Sequence, residues 1–167
     1  HCTRRFHSIG FRGLTALFGH MGVELDPVKE STEEQAGFTH YIALHKQLRP
    51  LLHRGNVVRI DHHDPALQIN GVIAQDQSCA VFLLSQLAMP TYSLSGTARL
   101  AGLDPTKQYR LNVLDQPASL RTGGVMKKLP LWLDEEITLS GDWLAKAGLA
   151  LPVMDPESAV LIKLEAE

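Results

Sequence analysis

The hydrophobic pattern changes period once, at Gly55, and that change limits the folds open to this 167-residue chain. Upstream, apolar side chains recur at helical intervals. Ile9, Phe11, Leu14, Ala16, Leu17, Phe18 and Met21 crowd a segment that reads as a helix from Ile9 to Met21, buried on most sides and fraying at Gly19 and Gly22. A second helix start follows at Ser31, with Glu34 three residues on as a capping box and acidic Glu33 and Glu34 suited to the N-terminal dipole. Tyr41, Leu44, Leu48 and Leu51 then recur at spacings of three, four and three, which sets them on one face. Pro50 disfavours helical geometry at Arg49, and Gly55 closes the segment. Two helices without a strand between them need a surface to pack on.

Downstream of Gly55, short runs rich in Val, Ile, Leu and Thr alternate with turn residues. Strands are expected at 56–61, 67–75, 78–87, 95–100, 108–114, 136–139 and 159–165. Asp76-Gln77 is short enough for a hairpin, and Gly102-Leu103-Asp104-Pro105 and Asp155-Pro156 are turn signals. A short helix is expected from Asp142 to Ala147, capped by Gly148, and residues 116–128, with Gly123-Gly124, read as a surface loop. Strand spacing of this kind favours an antiparallel sandwich over βαβ units. The chain is also too short for a complete (β/α)8 barrel, which takes about 250 residues.

Composition narrows the partners. A hydrophobic fraction of 44% excludes intrinsic disorder. Sixteen basic against eighteen acidic side chains leave a net charge of −2, so neither nucleic acid nor an anionic membrane is expected as a partner. No apolar run approaches the length of a transmembrane helix, and no signal-peptide pattern is present. Cys2 and Cys79 read as two reduced thiols of a reducing compartment, with Cys79 in a core-like run that continues through Ala80-Val81-Phe82-Leu83-Leu84. The chain starts at His1 and reads like a piece of something longer.

Candidate chemistry is sparse. All eight histidines fall within residues 1–63, yet His40 and His45 lie five apart, and His62 and His63 in Asp61-His62-His63-Asp64 would point to opposite sides of an extended chain. That tetrapeptide reads as a solvated turn before Pro65, and no metal site or cofactor is expected. Phosphate-cradling glycine loops and a nucleophile elbow are absent from the sequence. The basic group His1, Arg4, Arg5, His7 and Arg12 reads as a helix entry packed against an acidic neighbour, the other reading being contact with a polar ligand. Glu24 and Asp26 form the nearest thing to paired carboxylates, but Asp26 before Pro27 reads as a cap. Trp132 and Trp143 read as core anchors.

Longer motifs go further. The segment His1-Cys2-Thr3-Arg4-Arg5-Phe6-His7-Ser8-Ile9-Gly10-Phe11-Arg12 resembles the stretch after the last barrel strand in bacterial α-galactosidases of glycoside hydrolase family thirty-six, with His1, Arg5 and Arg12 matching its His and two Arg. Phe18-Gly19-His20-Met21-Gly22-Val23-Glu24-Leu25-Asp26 and Leu44-His45-Lys46-Gln47-Leu48-Arg49 continue the likeness. Gly55 with Arg59, Leu100-Ala101-Gly102-Leu103-Asp104-Pro105 with Tyr109-Arg110, and Gly148-Leu149-Ala150-Leu151-Pro152 resemble the family's C-terminal sheet domain. The chain looks most like the enterobacterial, raffinose-utilising branch.

The resemblance implies a mainly β fold: an antiparallel β-sandwich C-terminal domain preceded by two helices left from the end of a TIM barrel. Residues 1–54 would be the barrel's last helices and 55–167 the sandwich. It implies a cytoplasmic, retaining α-galactosidase acting on terminal α-galactosides of the raffinose or melibiose type. Its two catalytic carboxylates would lie upstream of His1, so no catalytic residue is carried onto this chain. The implied role is structural and assembly-related, without turnover by this piece. Its partners would be the rest of the barrel, the α-galactoside in the intact enzyme, and further copies in a homo-oligomer. The alternative is a free-standing carbohydrate-binding β-sandwich module. Helices severed from a barrel should leave an apolar face around Leu14, Leu17 and Phe18 exposed or covered by another copy.

Overall fold

A computed structural model of the chain describes residues 6–122 and 128–167. His1, Cys2, Arg4, Arg5 and the Gly123-Gly124 pair lie outside the described residues. The described residues form three helices, α1 (Ile9–Leu17), α2 (Thr32–Arg54) and α3 (Gly141–Lys146). They form eight strands: β1 (Asn56–Ile60), β2 (Leu67–Ile73), β3 (Cys79–Gln86), β4 (Thr97–Ala98), β5 (Gln108–Asp115), β6 (Ile137–Ser140), β7 (Leu149–Ala150) and β8 (Ser158–Ala166). Six of these make one antiparallel sheet in the order β1-β2-β3-β8-β5-β6, and β4 pairs with β7 in a second, short one.

The central strands β3 and β8 are buried along nearly their whole length, because both faces of the sheet are covered. Alternation sorts their side chains. Ala80, Phe82 and Leu84 of β3, with Val160, Ile162 and Leu164 of β8, face a core closed by the β4–β7 pair, Leu100, Leu144 of α3 and Trp132. This is the expected antiparallel sandwich, with a second leaf that is short and patched with helix and loop. Val81 and Leu83, with Ala159, Leu161 and Val72, face the opposite way onto Leu14 and Leu17 of α1 and Tyr41, Leu44 and Leu48 of α2.

That second core corrects the expectation of a bare helix face. Leu14 and Leu17 are 2% and 0% exposed and Phe18 is half-buried, so the helices find their surface within the same chain. The continuous run Ala80–Leu84 carried this information, since a strand apolar on both sides must be covered on both sides. α1 is also shorter than its apolar run, ending at Leu17 ahead of Gly19, and Ala16 is exposed.

α2 runs straight through Pro50 to Arg54, against the expected break at Arg49. A proline inside a helix costs about 3 kcal/mol, but Pro50 lies on the exposed side while Leu48 and Leu51 continue the packed face around it. Ser31 caps the start, its Oγ accepting the Glu34 N–H at 3.2 Å. The Glu34 carboxylate binds the Arg12 guanidinium of α1, tying the two helices. The hairpin at Asp76-Gln77 forms as a four-residue loop with Gln77 at φ 55°, and Asp76 accepts from the Ser78 N–H and hydroxyl. α3 ends at Lys146, and the chain turns away at Gly148, φ 78°, where a Cβ would stand 2.4 Å from the Ala98 carbonyl oxygen.

Candidate functional site

Carboxylates come first, because glycosidic chemistry depends on them. Asp26 caps the 3-10 turn Pro27–Lys29, accepting the Val28 N–H at 3.2 Å, and pairs with Lys29 at 3.2 Å. Glu24 is exposed beside it, at the rim of a groove shared with Arg12 and Phe38. Asp64 is buried and accepts three hydrogen bonds, from the Ala66 N–H at 2.9 Å, the Thr91 N–H at 2.8 Å and the Thr91 hydroxyl at 3.0 Å. Burial pushes its carboxyl up, but those donors more than offset it and hold it below the usual range. Asp76 and Asp104 are likewise held low, by the Ser78 and Thr106 hydroxyls and the N–H groups beside them. A general acid for glycoside cleavage needs the opposite displacement.

The tetrapeptide Asp61–Asp64 departs from its sequence reading in two ways. It bends rather than extends, so the rings of His62 and His63 lie together with centroids 4.1 Å apart. Asp64 is no solvated turn residue but the clasp that fixes the following irregular segment at Thr91. His62 Nδ1 accepts the Asp64 N–H at 3.1 Å, and burial followed by the charge of His63 lowers its pKa. Tyr92 completes the row, 5.2 Å from His63.

A second histidine group assembles where α2 ends. His45, Arg49 and His53 follow at intervals of four, and the His53 ring meets His45 at 5.8 Å and His20 at 4.8 Å. Partial loss of hydration, then His20, His45 and Arg49, lower the His53 pKa. The i, i+4, i+8 spacing of His45, Arg49 and His53 is present in the sequence, unlike the five-residue His40–His45 interval, which sets its two rings on different faces. His40 instead reaches Asp115 at 3.4 Å, and Tyr41 is pushed up by burial and the same carboxylate. Among the described residues no group of three or more His, Cys, Asp or Glu is arranged to hold a metal ion.

Two further expectations are corrected. Cys79 is half-buried at the edge of β3, lining a groove of about 770 Å³ with His53, Arg54 and Lys163, rather than enclosed in the core. Its place at the strand's first residue explains this, since burial begins at Ala80. Trp132 is an anchor, 4% exposed with its indole N–H donating to the Ala150 carbonyl at 2.8 Å, whereas Trp143 is 55% exposed on the outer side of the short α3. Of the basic entry, the two described members meet acidic neighbours, Arg12 pairing with Glu34 and His7 Nδ1 lying 3.0 Å from Glu157, whereas His1, Arg4 and Arg5 lie outside the described residues. No described helix is long and apolar enough to cross a membrane.

Comparison with known proteins finds two family matches along the chain. Residues 1–55 match the family described as Melibiase, and residues 66–164 match the Glycosyl hydrolase family 36 C-terminal domain. An α-galactosidase of Escherichia coli is 51% identical over 99% of this chain, which spans 24% of that relative's length. A probable α-galactosidase G of Aspergillus terreus is 33% identical over 67% of the chain, which spans 16% of it. Among solved structures, the α-galactosidase AgaB of Geobacillus stearothermophilus superimposes with a TM-score of 0.77 at 27% identity. The alignment takes in 100% of this chain and 20% of that one.

Proposed function

The chain belongs to glycosyl hydrolase family 36, and from that membership we propose that it serves as the C-terminal part of an α-galactosidase. The parent enzyme would be cytoplasmic and would hydrolyse terminal α-galactosides of the raffinose or melibiose type with retention. Its nucleophile and acid/base carboxylates, about 5–5.5 Å apart in such chemistry, would come from sequence outside residues 1–167. Residues 1–54 would supply the last barrel helices and residues 55–167 the sheet domain. The role of this part is to brace the barrel and shape contacts between copies of a homo-oligomer, with no cofactor or metal.

The observation that carries the proposal is the 51% identity running through 99% of the chain while reaching only 24% of the relative. The carboxylates support it: Asp26 is committed to a cap, Asp64 to a loop clasp, and Asp76 and Asp104 to turns. The packing supports a brace. α1 and α2 lie on the six-stranded sheet through a shared apolar layer, so whatever the helices belong to is coupled rigidly to the sheet.

Grafting tests the proposal. Residues 1–167 replace the matched quarter of the Escherichia coli relative, and the chimera and the chain alone are assayed with a chromogenic α-galactoside. The chimera is expected to release chromophore and the chain alone to release none. Turnover by the chain alone, abolished by changing one of its own carboxylates, would overturn the assignment.

A further inference from the structure

The last turn of α2, the hairpin between β2 and β3, and β8 enclose the groove of about 770 Å³ that Cys79 also lines. Its size lies within the range that takes a small ligand. Three bases meet there from two distant parts of the chain: His53 and Arg54 of α2, and Lys163 of β8. The lining carboxylate, Asp76, is committed to its own hairpin, accepting the Ser78 N–H at 3.0 Å and the Ser78 hydroxyl at 2.7 Å. Pro50 and Leu51 add an apolar wall.

Basic residues at a helix end ordinarily complement the negative pole of its dipole. That accounts for His53 and Arg54 but not for Lys163, which belongs to a central strand of the sheet. Lys163 gives one N–H to Glu165 at 2.7 Å and keeps two more ammonium hydrogens. The Arg54 guanidinium has no hydrogen-bond or ion-pair partner among the described residues. Further bases stand behind His53: the His20 ring at 4.8 Å and the His45 ring at 5.8 Å, whose Nε2 is buried without a partner. Burial lowers the His53 pKa first, then His20, His45 and Arg49, and none of these groups is a carboxylate. The helix dipole is itself muted. The Leu51 carbonyl accepts the Gly55 N–H at 2.8 Å, and the Arg54 carbonyl accepts the Gln75 side-chain amide at 3.2 Å. A basic groove whose lining carboxylate is already engaged suits an anion, and a guanidinium fork beside an ammonium matches the oxygens of a phosphate.

We infer that this groove binds a phosphate dianion, with the Arg54 guanidinium and the Lys163 ammonium on its oxygens and the His53 ring beside them. Free phosphate and an organic phosphomonoester share that chemistry. In a monoester, the organic group lies against Pro50 and Leu51. The site stands whether or not the chain serves an active α-galactosidase.

The test is an NMR titration of the chain near neutral pH, with sodium phosphate, phenyl phosphate, and sodium chloride at matched ionic strength as separate probes. Either phosphate should shift the His53 ring and the Arg54 and Lys163 amides saturably, with a dissociation constant of about 1 mM or tighter. Saturating phosphate should also raise the titration midpoint of the His53 ring by about half a pH unit, the effect of a nearby opposite charge. Arg54→Gln and Lys163→Gln should each weaken binding by about fivefold or more. Lys146→Gln, an exposed lysine of α3 outside the groove, should leave it unchanged. Amide dispersion reports that each variant stays folded, and Arg54→Gln, exposed at the helix end, decides the matter if Lys163→Gln does not fold. Tighter binding of phenyl phosphate supports a monoester site, and equal or weaker binding supports free phosphate. Shifts that chloride reproduces, that do not saturate, or that survive both groove substitutions overturn the inference. So does a silent titration, or an equal loss in Lys146→Gln. The chimera assay reads none of these signals, so the two proposals fail separately.

Discussion

Gly13 of α1 lies flat against the ring of Tyr41 in α2: a Cβ added at Gly13 would stand 2.2 Å from Tyr41 Cγ. The two helices approach this closely only because one presents bare backbone to the other's ring. Gly13→Ala must therefore push α1 off α2 or move a tyrosine held over the sheet. The expected loss is about 1–3 kcal/mol, after the gain of about 1 kcal/mol from better helix propensity. Gly19→Ala is the control, since nothing lies within 4 Å of its added carbon. Urea unfolding midpoints compare the two, and equal midpoints would show that the contact is not limiting.

The covered outer face of the sheet sets a second expectation. A chain of residues 55–167 alone would bare Val72, Val81, Leu83, Ala159 and Leu161, all of them now against α1 and α2. Such a patch binds hydrophobic dyes and associates. Within the whole chain, Leu17→Ala should cost about 2–5 kcal/mol and shift a single unfolding transition. Two separate transitions, with only one moved by the substitution, would contradict the shared core.

Asp64 ties stability to acid. Its carboxyl sits below its unfolded value, about 3.9, so the stabilisation is complete above that pH and is lost as pH falls through the native value. Asp64→Asn should flatten the decline in melting temperature below about pH 4. Asp64→Ala should also lower stability near neutrality by about 1–3 kcal/mol, because it strips acceptors from the buried Ala66 and Thr91 donors. An unchanged acid limb in the Asn variant would remove Asp64 from the account.

His53 acts at milder pH. Its native pKa lies below the unfolded value of about 6.5, so its contribution is full above that point and falls away as pH drops through the native value. His20, His45 and Arg49 all resist its protonation. Thermal unfolding between roughly pH 5 and 7 should steepen in the parent chain and be shallower in His53→Asn. Identical slopes would show that the three-histidine group does not govern this limb.

The two tryptophans separate cleanly by variant. Trp132→Ala removes a buried ring and its bond to Ala150, with an expected cost of about 3–5 kcal/mol. Trp143→Ala, at an exposed position on α3, should stay within about 0.5 kcal/mol. Denaturation midpoints of the two variants test this, and a comparable loss in both would mean that Trp143 is covered in solution.

Much of this fold was legible because local chemistry and tertiary packing agree. Ser31 caps α2, Gly55 ends it, and Asp76, Asp104 and Gly148 each stand at a turn that their side chains or bare backbone favour. Sequence and structure part where a distant element decides. Pro50 reads as a breaker until the packing of Leu48 and Leu51 on the sheet outweighs it. β7 is only two residues long and exists through its pairing with β4, so no periodicity could announce it.

The strand order has a consequence for how the molecule is made. β8, in the middle of the large sheet between β3 and β5, is the last of the eight strands to leave the ribosome. Until it is synthesised, β1–β3 form a meander with an open edge at β3, and the β5–β6 pair waits apart with no strand to join. Between the completion of β6 and the arrival of β8 the nascent chain thus carries two apolar half-sheets, and closing them requires a contact spanning about eighty residues, a slow step by its topology. A chaperone that shields the β3 edge during that interval would act at the point where this chain is most exposed to misassembly.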